Sequence, residues 1–366
     1  MTQLETLIQT LCPNGVHWSS VNDLIKQKIV YTVSASIKLK RNDYLTEGAT
    51  PIISQEEEFI SGYTNVTDKN ITEREYVCFG DHSEHIKYVD FAFVQGADGL
   101  KIMYCNQDAL SAKYFYYAVS NFYKKHCNYE RHFKYLQELQ IPLPPLAVQS
   151  EIVRILDKFT LYKSELAAEL AARLQQYEYY RDQLLTFDDT VERVKLGEVA
   201  ELKAGSFVSR TELKDCSTNG FPCYGGNGIR GYVNHYSHEG SFSIIGRQGA
   251  LCGCVHYATG KFYATEHAVV VKTKESVLSK YLYYVLVHAN LNQYKSQGAQ
   301  PGLAVSNLNQ LVFSIPSLEV QERIVSILDR FDTLCHDIRE GLPAEIDLRQ
   351  KQYEHYRDRL LSFERE

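Results

Sequence analysis

The sequence predicts an α+β protein in which two globular segments of mixed α/β structure are each followed by a long helix. The first observation behind this prediction is an internal repeat. Residues 146–159 (LAVQSEIVRILDKF) return as residues 318–331 (LEVQERIVSILDRF), and nine of those 14 pairs are identical. Residues 175–187 (QQYEYYRDQLLTF) return as residues 351–363 (KQYEHYRDRLLSF), with nine of 13 pairs identical. Unrelated segments would match at about one position in twenty, so the repeat is a duplication.

The second observation is the spacing of apolar residues in both copies. They recur every three or four positions, as expected for a helix that packs along its whole length in coiled-coil fashion. In the first copy they are Val148, Ile152, Ile155, Phe159, Tyr162, Leu166, Leu170, Leu174, Tyr177 and Leu184. In the second copy they are Val320, Ile324, Ile327, Phe331, Leu334, Ile338, Leu342, Ile346, Tyr353 and Leu360.

The length of the chain, 366 residues, is too great for one hydrophobic core. The repeat divides the chain into four segments: a globular segment at 1–145, a helix at 146–188, a second globular segment at 189–316 and a second helix at 317–366. The second helix contains Gly341-Leu342-Pro343, whereas the first has no Gly or Pro between its ends. Because proline lacks an N–H and clashes with the carbonyl four residues back, we predict a kink near Pro343, in the first turn of a resumed helix.

The globular segments contain short β-rich runs, such as residues 241–245 and 267–272, between turns rich in Gly, Asn and Ser. Their inner parts also resemble each other weakly. The matching runs are ISGYTN (60–65) with IRGYVN (229–234), and AKYFYY (112–117) with SKYLYY (279–284). The last two runs each predict the start of a short amphipathic helix.

Composition limits the class of protein. No apolar run reaches the ~20 residues that span a bilayer, and the N-terminal residues lack the pattern of a signal peptide. Nine cysteines without regular spacing are typical of a reducing compartment, so we expect a cytoplasmic protein that binds no membrane. The net charge is -6, yet residues 189–311 carry 12 Lys and Arg against nine Asp and Glu. A nucleic-acid-binding surface needs only a basic face, so DNA is not excluded as a ligand.

These motifs resemble the specificity (S) subunit of type I restriction–modification enzymes. The resemblance lies in the paired runs LAVQSEIVRILD and LEVQERIVSILD, in QQYEYYRDQLLTF and KQYEHYRDRLLSF, and in the turn PCYGGNGIRGYV. It implies that each globular segment is a target recognition domain that reads one half of a split sequence in double-stranded DNA. It also implies that the helices form an antiparallel coiled coil with pseudo-two-fold symmetry. Two methyltransferase subunits, and two restriction subunits where a nuclease is present, would dock on that coiled coil.

Basic and aromatic residues mark candidate DNA contacts in the first globular segment. The cluster at residues 123–135 interleaves cations with Tyr and His, a composition that suits contacts to phosphates and base edges. A second, weaker cluster has lysines spaced by two, as on one face of a strand. The candidates are Lys38, Lys40, Arg41, Lys124, Lys125, Arg131, His132 and Lys134. The alternative is a solvated basic helix end, or ordinary surface lysines.

In the second globular segment the candidates lie in Gly-rich loops, where the backbone can approach phosphate closely and Asn or Gln can pair with adenine. They are Asn227, Arg230, Arg247, Gln248, Lys295, Gln297 and Gln300. The alternative is ordinary turn chemistry. The Cys252-Gly253-Cys254 run and His235 with His238 lack further ligands at metal-binding spacing, so we predict no metal site.

The chain carries no recognisable catalytic motif. It has no (Asn/Asp)-Pro-Pro-Tyr run of an amino-methyltransferase and no GK[ST] phosphate-binding loop. We therefore expect a non-catalytic recognition subunit, with S-adenosylmethionine, ATP and Mg²⁺ bound only by partner subunits. Two alternatives remain: a self-contained DNA methyltransferase or restriction enzyme with an unrecognised site, and a coiled-coil scaffold whose modules bind protein.

Overall fold

The structure, a computed structural model, describes residues 3–35, 38–66, 71–72, 74–96, 99–215, 220–249, 251–296, 301–337 and 340–366. It contains two units. Unit 1 consists of Met1–Glu165 with Ile346–Glu366, and unit 2 consists of Leu166–Glu345.

Unit 1 contains the first mixed module. Its helices are α1 (Gln3–Leu11), α2 (Val21–Lys26), α3 (Ala112–Phe122) and α4 (Phe133–Glu138), and a 3-10 turn lies at Arg41–Asp43. Its strands are β1 (Trp18–Ser20), β2 (Val30–Val33), β3 (Thr50–Ile53), β4 (Gly62–Thr64), β5 (Tyr76–Gly80), β6 (Ile86–Val89), β7 (Val94–Gln95), β8 (Leu100–Cys105) and β9 (Gln140–Pro142).

The strands of this module form a sheet in the order β2-β8-β5-β6 and a smaller sheet in the order β4-β3-β7. Strand β5 (YVCFG) is buried along its whole length because it is apolar and lies between β8 and β6. Helix α3 packs on this sheet. The Ser111 side chain caps α3 by accepting a hydrogen bond from the Tyr114 N–H, and the buried face of the helix includes Tyr114 and Phe115.

Unit 2 contains the second mixed module. Its helices are α6 (Leu196–Val199), α7 (Ser279–His288) and α8 (Val305–Asn309), with a 3-10 turn at Leu291–Tyr294. Its strands are β10 (Arg193–Lys195), β11 (Ala200–Ala204), β12 (Phe221–Gly225), β13 (Gly228–Val233), β14 (His238–Gly246), β15 (Val255–Ala264), β16 (Ala268–Thr273) and β17 (Val312–Ser314).

The two modules share one topology. The sheet of unit 2 has the order β11-β16-β14-β15-β12-β13, in which β11-β16-β14-β15 matches β2-β8-β5-β6. Strand β12 pairs in parallel with the end of β15, just as β3 pairs in parallel with β7. The first and last strands of each module pair with each other, β1 with β9 and β10 with β17. The duplication seen in the helices therefore extends through the modules.

A long helix follows each module. Helix α5 (Leu146–Leu185) is an uninterrupted helix of 40 residues. The second copy consists of α9 (Leu318–His336) and α10 (Leu342–Leu361), with Pro343 in the first turn of α10.

The helices run antiparallel within each unit. In unit 1 the Phe159 ring stacks on Tyr356 with centroids 5.3 Å apart, and Lys163 Nζ donates to Gln350 Oε1 at 2.7 Å. In unit 2 Tyr177 contacts His336 and Tyr180 contacts Phe331, with centroids 5.7 and 5.6 Å apart. In each unit, contacts made further along one helix are made to earlier residues of the other helix, which is the pattern of an antiparallel pair. The prediction of an α+β fold with two modules and antiparallel long helices is confirmed.

A repeated glutamine joins each module to the start of its helix. Gln149, which is 1% exposed, accepts a hydrogen bond from Ser111 N at 2.9 Å and donates to Pro144 O at 2.8 Å. Gln321, which is 0% exposed, accepts from Leu278 N at 2.9 Å and donates to Pro316 O at 2.9 Å. Each side chain thus ties the residue before α3 or α7 to the proline-containing segment before its long helix.

A repeated aspartate makes the next contact, one turn or more along each helix. Asp157 accepts a hydrogen bond from the Tyr117 hydroxyl at 2.7 Å and pairs with Lys113 at 2.8 Å. Asp329 accepts from the Tyr284 hydroxyl at 2.5 Å, and Lys280 lies 3.5 Å away. The lysine and tyrosine of each pair come from the AKYFYY and SKYLYY runs. These contacts hold α3 and α7 on the long helices in the same way.

Candidate nucleic-acid interface

The basic cluster of the first module lies mainly on the α3–α4 loop, which we define as residues 123–132. The turn between β5 and β6, residues 81–85, lies against this loop and supplies two buried acids, Asp81 and Glu84. A buried acid is stable only where hydrogen bonds or cations compensate for lost water. The α3–α4 loop provides those partners for Glu84, whereas the Asp81 carboxylate is held by Phe133 N of α4 and by Lys101, whose Nζ lies 3.5 Å away.

Glu84 receives most of its hydrogen bonds from the loop backbone. Its carboxylate accepts from His126 N at 2.9 Å, from Cys127 N at 2.8 Å and from the Tyr123 hydroxyl at 2.7 Å. Burial raises the pKa of this carboxyl, but these hydrogen bonds outweigh burial and lower the pKa to about 2. The group is therefore ionised at neutral pH, and it anchors the middle of the loop.

Asp81 anchors the end of the loop through His132. The backbone oxygen of Asp81 accepts from His132 N at 2.8 Å, and its carboxylate accepts from Phe133 N at 2.9 Å. The His132 ring lies 3.1 Å from Asp81 O and 2.7 Å from Asn128 Oδ1. His132 is 0% exposed. The prediction that His132 contacts DNA is therefore wrong, because its ring is fully enclosed and used to hold the loop.

The other predicted cations of this cluster reach solvent. Lys124, Lys125 and Arg131 are exposed, and none of them pairs with an acid among the described residues. Lys134 is exposed but pairs with Glu130 at 2.9 Å, and this hydrogen bond raises the pKa of Lys134. The α3–α4 loop thus presents three cations without an acid partner among the described residues, although Lys125 Nζ lies 3.4 Å from His85 Nδ1. Lys134, in α4, is already paired with an acid.

The second cluster, Lys38, Lys40 and Arg41, is exposed but is not on a strand. The prediction of one strand face is wrong because β2 has ended at Val33 and the chain turns here, with Asp43 N donating to Lys40 O at 2.8 Å. Arg41 pairs with Glu56 at 3.1 Å. These residues form a surface loop beside the smaller sheet.

In the second module, a cavity of about 930 Å³ brings together predicted residues from two separate loops. Asn227 and Arg230 come from the β12–β13 hairpin, and Arg247 and Gln248 follow β14. The other lining residues are Gly226, Gly249, Leu251, His267, Ser296, Pro301, Gly302, Leu303, Ala304 and Asn307. The predicted residues Gln297 and Gln300 lie outside the described residues.

Lys295 is exposed and does not line this cavity. Its Nζ donates to Asn292 Oδ1 at 2.9 Å. The sequence predicted it as a contact within the run 292–302, and of that run Ser296, Pro301 and Gly302 line the cavity.

Glycines allow the two loops of the cavity to touch. A Cβ on Gly246 would lie 1.8 Å from Gly226 O, so no larger residue fits at that crossing. The glycines of the YGGNGIR and IGRQGA runs therefore serve close backbone packing. This packing places Asn227 and Arg230 next to Arg247 and Gln248.

Hydrogen bonds hold the backbone of Arg247 on both sides, while one nitrogen of its side chain lacks a hydrogen-bond partner among the described residues. Its N–H donates to His267 O at 2.9 Å, and its carbonyl accepts from Leu303 N at 2.8 Å. Its Nε is buried and has no hydrogen-bond partner among the described residues, and the same holds for His267 Nδ1. Buried polar atoms nearly always have a partner, and in a cavity wall that partner can be water as well as a ligand.

Both modules build this region in the same way. The residue after the central strand receives a backbone hydrogen bond from the loop before a short helix: Asp81 O from His132 N, and Arg247 O from Leu303 N. The short helices are α4 and α8. Equivalent loops therefore present different side chains on one framework.

Two exposed aromatic side chains in these regions were not among the individually named candidates, although Tyr129 lies within the predicted cluster at residues 123–135. Tyr129 on the α3–α4 loop is 94% exposed, and Phe207 in the segment after β11 is 75% exposed. The Phe207 carbonyl accepts from the Tyr263 hydroxyl at 3.2 Å, and Val208 is buried, so an anchored backbone presents the ring. The run AGSFVSR gives no sign that its Phe faces solvent, which is why sequence reasoning missed it.

The family described as the type I restriction modification DNA specificity domain matches residues 22–176 and 188–348 of this chain. The chain belongs to that family. The two matches cover the two modules and confirm the resemblance predicted from the repeated helix motifs. The homologues of this chain are specificity subunits, which are non-catalytic.

Two relatives of this chain are named as specificity subunits of type I restriction enzymes. The specificity subunit of the type I restriction enzyme EcoprrI from Escherichia coli is 51% identical over 208 residues, which cover 54% of this chain and 52% of that protein. The EcoR124I/EcoR124II specificity subunit of the same species is 31% identical over 400 residues, which cover 99% of this chain and 98% of that protein. The chain thus spans about half the length of the first relative and nearly all of the second.

Solved structures share the fold. The S subunit of the type I restriction–modification system from M. genitalium has a TM-score of 0.64 at 16% identity, covering 95% of this chain and 97% of that one. A chain from a study of complex assembly and conformational transition of the type I R-M system has a TM-score of 0.58 at 13% identity, covering 95% and 98%. At these identities the likeness concerns the fold alone.

Within the described residues, none of the helices of the specificity subunit is both long and apolar enough to cross a bilayer. The same residues contain no group of three or more His, Cys, Asp or Glu side chains placed to hold a metal ion.

Proposed function

We propose that this specificity subunit reads a bipartite sequence in double-stranded DNA, one half with each module. The observation that carries this proposal is the repeated framework with different side chains. The first module offers Lys124, Lys125 and Arg131 on its α3–α4 loop, and the second offers Arg230 and Arg247 around its cavity. Exposed cations suit phosphates, and Arg, Asn and Gln suit base edges.

We further propose that the long helices dock two methyltransferase subunits, with two restriction subunits where a nuclease is present. The support is the duplication itself, because two equivalent helical segments offer two equivalent surfaces. Methyl transfer to a flipped adenine, and any ATP-driven step, would then belong to those partners. S-adenosylmethionine, ATP and Mg²⁺ would bind there, and the complex would act in the cytoplasm, where the DNA is.

A module exchange tests the proposal directly. Residues 1–145 are replaced by the matching segment of a relative with a different target, and methylated adenines are mapped across the genome. We expect one half of the methylated sequence to change while the other half stays the same. A motif that is unchanged, or changed in both halves, would contradict independent reading by two modules.

The two alternative functions predict different results. A self-contained methyltransferase would methylate DNA as the isolated chain, whereas we expect activity only with methyltransferase subunits. A protein-binding scaffold would leave the assembled complex without salt-dependent affinity for DNA. Deleting the gene and finding the methylated motif intact would also exclude the proposed role.

A further inference from the structure

Glu84 lies beneath the α3–α4 loop, where it cannot reach DNA. Glu84 is 2% exposed. Its carboxylate accepts hydrogen bonds from the Tyr123 hydroxyl and from the backbone N–H groups of His126 and Cys127. His132 Nε2 lies 3.6 Å from the same carboxylate. Every one of these partners belongs to the segment that presents the exposed cations.

The loop backbone needs such an anchor. Glu84 and Cys127 have φ angles of 57° and 56°, a left-handed conformation that is strained for a residue with a Cβ. The hydrogen bond from Cys127 N to Glu84 Oε1, at 2.8 Å, joins these two strained residues directly. Hydrogen bonds to a charged acceptor are stronger than neutral ones and can offset this strain.

We propose that Glu84 is a positioning residue for sequence reading by the first module: its carboxylate fixes the α3–α4 loop in the conformation that presents Lys124, Lys125 and Arg131. This inference rests on the proposed function. It assigns to a buried acid a role in DNA specificity that the acid performs only through the loop.

The direction of the change in DNA affinity on Glu84→Gln distinguishes a positioning role from a purely electrostatic role. Glu84→Gln removes a negative charge that contacts the loop carrying these cations, so a purely electrostatic role predicts tighter binding to any DNA. A positioning role predicts the opposite for the correct sequence. The cations would remain and still attract phosphates, but base reading needs fixed geometry and would be lost.

The experiment uses the specificity subunit assembled with its methyltransferase subunits and the duplex identified by methylation mapping. Affinity is measured for that duplex and for duplexes with the first or the second half-site scrambled. For Glu84→Gln we expect about tenfold weaker binding to the correct duplex, with no loss on the duplex whose first half-site is scrambled. The matched control is Glu138→Gln, an exposed acid on α4 without an ion pair among the described residues, which should leave the discrimination unchanged.

Tyr123→Phe provides a second, milder variant that removes one hydrogen bond to the carboxylate and keeps the ring. We expect about threefold weaker discrimination at the first half-site, and faster hydrogen exchange at the amides of His126 and Cys127. If Glu84→Gln does not assemble, the Tyr123→Phe result decides. Unchanged discrimination in that variant, or tighter binding of Glu84→Gln to all duplexes, would overturn the inference. If the wild-type complex itself does not distinguish the scrambled duplexes, it is the proposed function that fails.

Discussion

Individual cations on the α3–α4 loop differ in how readily they can bind phosphate. Lys124 is exposed and has no acid partner among the described residues, whereas Lys134 pairs with Glu130 at 2.9 Å. That hydrogen bond, together with those from Asn128 and Tyr135, lowers the pKa of Glu130 to about 2, so the acid keeps its charge at neutral pH. A phosphate must compete with the carboxylate for Lys134 but not for Lys124. The two lysines therefore form a natural comparison.

Replacing Lys124 by Ala should weaken DNA binding by the assembled complex and reduce the slope of log K against log[salt] by about one. Lys125→Ala should behave in the same way. Lys134→Ala is the control, and we expect a smaller change in slope because this lysine already has an anionic partner. Binding measured by anisotropy at several salt concentrations gives both quantities. Equal affinity and slope for wild type and Lys124→Ala would remove this residue from the interface.

Replacing Arg247 tests whether the second module contacts DNA through its cavity. The planar guanidinium of Arg247 lines the cavity and suits a two-point contact that lysine cannot reproduce. We expect Arg247→Lys to weaken binding by about 1–3 kcal/mol at one base position and to relax the methylated motif there. The control is Lys261→Ala, which removes a cation of the same module that does not line the cavity. A uniform loss across all sequences would instead make Arg247 a phosphate contact.

For individual residues, the sequence predicted which loops carry the candidate contacts better than it predicted what each side chain does. The GGNGIR and GRQGA runs were predicted as separate candidates, and the structure brings both to one cavity. The local pattern could not show this, because their contact depends on the crossing of Gly226 and Gly246. His132 was wrongly predicted as a contact for a similar reason. The acid turn that encloses it lies about 50 positions earlier in the chain, so only the folded chain reveals its burial.

At the scale of elements, periodicity and repetition were informative. The AKYFYY and SKYLYY runs open α3 and α7, as predicted, and residues 241–245 lie within β14. The structure adds a reason for the recurrence of the VQ pair in the long helices. Gln149 and Gln321 make matching hydrogen bonds that connect each module to its helix. Strand order could not be predicted, because it depends on pairing between residues far apart in sequence.

These glutamines give a matched pair of stability predictions. Gln149→Ala leaves the Ser111 N–H and the Pro144 carbonyl without their partner, and Gln321→Ala does the same for Leu278 and Pro316. Each change should destabilise its own unit by about 1–3 kcal/mol, which lowers Tm by about 2–10 °C for a unit of this size. Thermal unfolding followed by circular dichroism measures the effect.

The control for both glutamine variants is Gln175→Ala, which replaces an exposed glutamine on α5. It should change Tm little, because an exposed helical glutamine gives up only solvent contacts. If Gln149→Ala and Gln321→Ala are equally mild, the repeated hydrogen bonds do not stabilise the docking of the modules.

At the scale of the whole molecule, the two copies of the long helix differ in continuity. Helix α5 has 40 residues, which corresponds to about 60 Å, and contains no Gly or Pro. The second copy ends one helix at His336 and begins another at Leu342. In sequence, 18 positions separate Phe159 from Tyr177 and 22 separate Phe331 from Tyr353. The four additional residues therefore coincide with the interruption that Gly341 and Pro343 predict.

Deleting residues 339–342 tests whether the helices set the distance between the two half-sites. The deletion makes the second copy as long as the first and shortens the segment between α9, which ends at His336, and α10, which begins at Leu342. We expect the methylated motif to change the length of its unread spacer while both half-sites keep their sequence. The control is Pro343→Ala, which alters the same region without changing its length. Methylation mapping is applied to both variants and to the wild type, and a spacer that stays constant in the deletion would show that the length of this segment does not set the separation.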